Sequence, residues 1–166
     1  MAEITLKTKY FGQLNFPAEE GIVADLVVNF EGEELEISFD IFDKLVEEKN
    51  IATVQLLLDN AEAMYSKAKA YIKANYKTDE VIAEFIEWHI EELSEEFVDA
   101  YGTEEEVTAE EIIRQLRLTH LWLSPNEEVQ GGVEITYDFT LQEVSDEILA
   151  VRFDKSLEIT DVVWER

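Results

Sequence analysis

Apolar and polar residues alternate with a period of two at both ends of the chain and with a period near 3.6 in the middle. Near the N-terminus the alternation runs through Ile4, Leu6, Thr8 and Tyr10, then through Ile22, Ala24, Leu26, Val28 and Phe30, and again through Leu35, Ile37 and Phe39. Alternation of this kind puts apolar side chains on one face of a half-buried strand. The turn-forming stretches from Phe16 to Gly21 and from Glu31 to Glu33 leave only short links, which favour antiparallel pairing. An N-terminal meander is therefore expected.

From Ile41 the period lengthens. A short helical piece near Asp43 to Lys49 is expected to end at Asn50. Val54, Leu57, Leu58, Ala61, Tyr65, Ala68, Ile72 and Tyr76 then form one stripe, which predicts a single long helix. In the next segment Ile82, Phe85, Ile86, His89, Leu93 and Phe97 share a face, with Glu80, Glu84, Glu87, Glu91 and Glu95 opposite. Gly102 supplies a stop, and Thr108-Ala109-Glu110-Glu111 has capping-box spacing for a shorter helix beginning near Ala109.

After Arg117 the period of two returns. Leu118, His120 and Trp122 alternate with Thr119, Leu121 and Leu123 until Pro125 breaks the run, and Val133, Ile135, Tyr137 and Phe139 alternate with polar residues. The stretches Ile148 to Phe153 and Leu157 to Trp164 flank the turn Asp154-Lys155-Ser156 and predict a closing hairpin. Strands, then helices, then strands predict one α+β domain over residues 1–166. Its antiparallel or mixed sheet comes from the N- and C-terminal strands, with about three central helices packed on one face.

Composition narrows the function. With 46% hydrophobic residues the chain can build a core, so an acidic disordered tail is excluded. The net charge is -26, from 39 acids and 13 bases, and residues 78–113 hold 14 acids and no base. A field this negative repels phosphate backbones and anionic membranes. The one basic cluster, Lys67, Lys69, Lys73 and Lys77, reads as a solvated helix face. With no cysteine, disulfides, thiol nucleophiles and cysteine-ligated metals are out. No apolar run approaches the roughly 18 residues of a membrane span, and the opening residues lack the apolar core of a signal peptide, so a cytoplasmic protein is expected.

Candidate chemistry is sparse. There is no phosphate loop, since the only adjacent glycines, Gly131 and Gly132, lie in a turn, and there is no nucleophile elbow. His89, with Glu92 one helical turn later, is the most suggestive residue for general acid-base work, because a carboxylate can orient an imidazole. Its position between Phe85 and Leu93 favours a structural role in the core. His120 could join His89 in a zinc site only if its strand packs beneath that helix, and no short-spaced ligand pair supports this. The spacing Glu87-Trp88-His89 does not fit a di-iron motif, and the glutamate clusters lack the alternating oxygens of a calcium loop. No cofactor or metal is expected. Trp122 and Trp164 read as core, while Trp88 stands at the boundary of the apolar and acidic faces, where an aromatic could anchor a basic partner.

The order of features resembles an uncharacterised family of small acidic bacterial cytoplasmic proteins. The matching stretches are Lys9-Tyr10-Phe11-Gly12-Gln13-Leu14, the helix from Asp79 to His89, and Leu149-Ala150-Val151-Arg152-Phe153-Asp154. Such proteins are similar to the immunity proteins that neutralise bacterial toxins. The resemblance implies an interaction role and supplies no catalytic residue. The leading expectation is thus a non-enzymatic binding module whose acidic helical face, Glu84, Glu87, Trp88, Glu91 and Glu95, engages a basic protein. The alternatives are a metal-dependent or general acid-base enzyme centred on His89 and Glu92, and an acidic protein whose charge serves solubility.

Overall fold

The computed structural model describes residues 3–43, 48–102 and 106–165. Strands β1 (Glu3–Lys7) and β2 (Gln13–Pro17) form an antiparallel hairpin of their own. A second hairpin, β3 (Ile22–Phe30) and β4 (Glu33–Ile41), begins a six-stranded sheet that continues through β5 (Arg117–Pro125), β6 (Val133–Thr140), β7 (Ile148–Phe153) and β8 (Ile159–Glu165). The sheet order follows the chain, and every neighbouring pair is antiparallel except β4 and β5. The fold is α+β with a mixed sheet. The expected N-terminal meander is divided: its first part lies in the separate two-stranded sheet, because the chain turns back after Lys7 and not after Tyr10.

A parallel pair cannot be joined by a tight turn. The connection from β4 to β5 carries α1 (Glu48–Asp59), α2 (Ala61–Asn75), α3 (Glu80–Tyr101) and α4 (Ala109–Gln115). Among the described residues four helices fill the block expected to hold about three, because the single apolar stripe from Val54 to Tyr76 is carried by two helices broken at Asn60. There the side-chain amide donates to the Leu56 carbonyl at 2.8 Å and the backbone leaves helical values (φ −113°, ψ 17°). An asparagine that hydrogen-bonds its own backbone competes in this way with helix continuation. The short helical piece expected near Asp43 to Lys49 falls largely outside the described residues, and its expected end at Asn50 is corrected: Asn50 lies within α1, which runs on to Asp59. Both ends of α3 follow the sequence: Asp79 accepts from the Val81 and Ile82 amides, and Gly102 takes the left-handed conformation (φ 67°) that closes it. Thr108 caps α4 through the Glu111 amide.

The helices and the sheet meet over a core in which Leu35, Ile37, Phe39, Leu121, Leu123, Ile135, Tyr137, Phe139, Leu149, Val151 and Phe153 point inward. Phe11 packs on Phe39 with ring centroids 4.8 Å apart, so the β1–β2 hairpin closes one side of the same core. No helix among the described residues is long and apolar enough to cross a membrane.

Tyr137 is fully buried and its hydroxyl donates to the Ala61 carbonyl at 2.8 Å, joining the central strand to the first residue of α2. In Tyr137→Phe that carbonyl loses its side-chain donor and keeps the helical one. The expected destabilisation is about 0.5–1.5 kcal/mol, read as a lower urea midpoint at unchanged m-value.

Candidate functional site

Helix α3 carries eight acids and no base. Its apolar stripe, Ile82, Phe85, Ile86, His89 and Phe97, is buried, and Glu84, Glu87, Glu91 and Glu95 are exposed, as the period of 3.6 requires. Among the described residues none of these four glutamates takes part in an ion pair. The row is not straight throughout. Leu93 has non-helical angles (φ −129°, ψ 23°), and the Ser94 hydroxyl donates back to the Ile90 carbonyl, an arrangement that bends helices. Glu84, Glu87 and Glu91 therefore share one regular segment, and Glu95 lies beyond the break.

Trp88 is half-buried. Its ring packs against Trp164 of β8 (5.9 Å) and edge-on to His89 (5.0 Å), while Phe85 meets the Trp164 ring at a near right angle. Part of the indole is thus committed to holding α3 against the edge strand, and the remainder borders the glutamate row.

His89 is 1% exposed. Its Nδ1 lies 2.7 Å from the Phe85 carbonyl, which can only accept, so Nδ1 carries the proton and Nε2 accepts from the Ser145 hydroxyl at 2.7 Å. Glu92 is exposed and is not the orienting group that its spacing suggested; the partner is a serine on the β6–β7 connection. Burial pushes the imidazole below the ordinary histidine value, against the opposing effects of the Phe85 carbonyl and the Glu147 charge. A serine donating to a neutral imidazole is one half of an activated-nucleophile arrangement. Here Ser145 also accepts from the Glu147 amide at 3.3 Å, and neither residue lines the clefts of about 770 and 380 Å³ that open elsewhere. What the bond does visibly is fasten the β6–β7 connection to α3.

His120 has different surroundings. A register shift in β5 between Leu118 and His120 moves the inward positions from Leu118 to Leu121 and Leu123. His120 and Trp122 consequently face away from the helices, and the core position expected for Trp122 is corrected. Such an irregularity re-aims side chains. Directly across the sheet, Asp138 is 3% exposed, and its Oδ2 accepts from His120 Nδ1 (3.1 Å) and Trp122 Nε1 (3.0 Å). Asp40 Oδ2 lies 2.6 Å from His120 Nε2. The Asp138 hydrogen bond, opposed by burial and reinforced by Asp40, raises the His120 pKa above its ordinary value. Carboxylates at both nitrogens favour the protonated ring, which in that form has no lone pair to offer as a base. Trp122 stacks between His120 (5.9 Å) and the exposed Phe42 (5.6 Å). Sequence spacing sets His120 beside Trp122 on one strand face but does not bring the aspartates to them, because Asp40 and Asp138 lie 80 and 18 residues from His120. His89 and His120 thus have separate partner sets, and among the described residues no group of three or more His, Asp or Glu could hold a metal ion.

Comparison of the chain with protein-family models, with curated proteins and with solved structures gives no match.

The two histidines should titrate on opposite sides of about 6.5. For His120, whose folded pKa is raised, the stabilisation is complete below the unfolded value and is lost as pH rises through the folded one. For His89, whose folded pKa is lowered, it is complete above the unfolded value and is lost as pH falls through the folded one. Imidazole NMR titration, assigned with His89→Gln, checks both directions.

Proposed function

We propose that the protein is a non-enzymatic binding protein that engages a basic protein partner through the outer face of α3. The observation that carries this reading is the row Glu84, Glu87 and Glu91: exposed, on one regular helical segment, and without an ion pair among the described residues. Like charges three and four residues apart oppose helix formation by roughly 0.2–0.5 kcal/mol per pair, so the arrangement works against folding unless a cationic surface meets it. Complementary fields also speed encounter. Exposed carboxylates alone give little durable affinity, and the uncovered part of Trp88 beside them supplies apolar contact.

The resemblance to immunity-type proteins supports a toxin as the partner, for instance a nuclease whose phosphate-binding site would be covered by the carboxylates. The enzyme reading, transferred from Glu92 to Ser145, has the Ser145–His89 hydrogen bond in its favour. Neither residue lines the clefts of about 770 and 380 Å³. Among the described residues the metal-dependent form has no ligand cluster.

Affinity capture from the native cells, with low- and moderate-salt washes, should recover a stoichiometric basic protein. Reversing Glu87 and Glu91 to lysine should lower its association rate by about tenfold or more at low salt, with the difference shrinking as salt screens the field. Equal rates for the two proteins across all salt concentrations would leave solubility as the account of the charge.

A further inference from the structure

The bases that α3 lacks are concentrated on another surface. A cleft of about 770 Å³ opens between α2, α4 and the β3–β4 turn, and four of the chain's 13 bases but only three of its 39 acids line it. The bases are Lys69, Lys73, Arg114 and Arg117. In a protein of net charge -26 this is a reversal of the local balance.

Two of the three lining acids are already supplied with donors, and the third, Glu33, is exposed, its carboxylate without a hydrogen bond or ion pair among the described residues. Glu31 accepts from the Ser66 hydroxyl (2.6 Å) and Lys69 (3.1 Å), and those bonds, Ser66 first, hold it below the usual carboxylate range. Glu110 accepts from the Tyr76 hydroxyl at 2.6 Å. Two of the bases retain capacity. Lys73 makes no hydrogen bond or ion pair among the described residues. Arg117 donates from Nη1 to the Arg114 and Leu116 carbonyls (3.0 and 3.1 Å), which fixes the guanidinium, while its Nε and Nη2 have no partner among the described residues.

Between the charges the lining is apolar: Tyr65, Ile72, Leu116 and Phe139 are buried, and the Tyr65 and Phe139 rings stack with centroids 6.2 Å apart. Apolar walls with a few polar groups at fixed positions are the usual make-up of a small-molecule site. We propose that this cleft binds an amphipathic organic anion, its apolar or aromatic body against Tyr65, Ile72 and Phe139 and its anionic group between Lys73 and Arg117. A fixed guanidinium and an uncommitted ammonium favour a carboxylate, sulfonate or phosphate at that end. The site is independent of the acidic face of α3, and either can fail without the other.

Anilinonaphthalene sulfonate is a suitable probe, and phenylnaphthylamine presents the same rings without the anion. The sulfonate dye should bind one-to-one and saturably, shifting the amide resonances of α2 and α4. Lys73→Gln with Arg117→Gln should weaken it by about tenfold or more while changing phenylnaphthylamine binding by less than about threefold. Lys73→Gln alone, at an exposed position without a hydrogen bond, should give a smaller loss in the same direction and serves if the double variant unfolds. Absence of saturable dye binding, equal affinity of the single variant and the unaltered protein, or shifts confined to β3 and Phe42 would each overturn the proposal.

Discussion

The parallel pairing of β4 with β5 is the constraint on which the rest of the molecule depends. Adjacent parallel strands need a long crossover, and this one contains all four of the helices among the described residues. The helical block consequently packs over one side of the sheet. Inward residues of β4, β5, β6 and β7 meet α1, α2 and α3 there, and Tyr137 reaches across to Ala61. The same topology leaves α3 along the β8 edge, with Phe85 and Trp88 against Trp164 and its acidic side turned to solvent.

Charge is distributed in step with that architecture. α3 carries carboxylates without cations, whereas α2, α4 and the start of β5 bring four cations around one apolar cleft. The sheet face away from the helices is polar but closely organised. Asp138, His120, Asp40 and Trp122 form a hydrogen-bonded set, and Arg152 pairs with Glu165 at 2.8 Å and approaches Glu134 and Asp161 at 3.6 and 3.7 Å. Asp138 is buried with Oδ2 hydrogen-bonded by His120 and Trp122, which offsets part of its lost hydration, while its Oδ1 has no hydrogen-bond partner among the described residues.

Much of the fold was legible from local pattern. The period of two places β3, β4, β6 and β7, and the period of 3.6 with Gly102 and Thr108 places α3 and α4. Two local features misled: Asn60 breaks a stripe that remains continuous in hydrophobicity, and the irregularity after Leu118 exchanges the faces of β5. Polar positions in β6 were a third difficulty. Glu134, Thr136 and Asp138 alternate as solvent-facing residues should, yet they are buried, because β6 is central and Trp122 and Arg152 flank Thr136 in register. The acidic positions on α3 followed from spacing alone. The partners of both histidines did not, since Ser145 lies 56 residues from His89 and the two aspartates reach His120 through strand pairing. The basic cleft was equally hidden, because Lys69 and Lys73 on α2 meet Arg114 and Arg117 only in three dimensions.

The central functional claim is that the exposed carboxylates of α3 are covered when a basic partner binds. Carboxyl-group footprinting reads this directly, since acids are spread over the whole surface and each labelled side chain reports its own accessibility. In the complex with the captured basic partner, labelling of Glu84, Glu87 and Glu91 should fall by about fivefold or more, as expected for side chains buried in an interface, while Glu34, Glu36 and Asp161 on the opposite side of the sheet keep their free-state rates. Unchanged labelling along α3, with protection of Glu34, Glu36 and Asp161, would contradict the account and move the binding surface to the other side of the sheet.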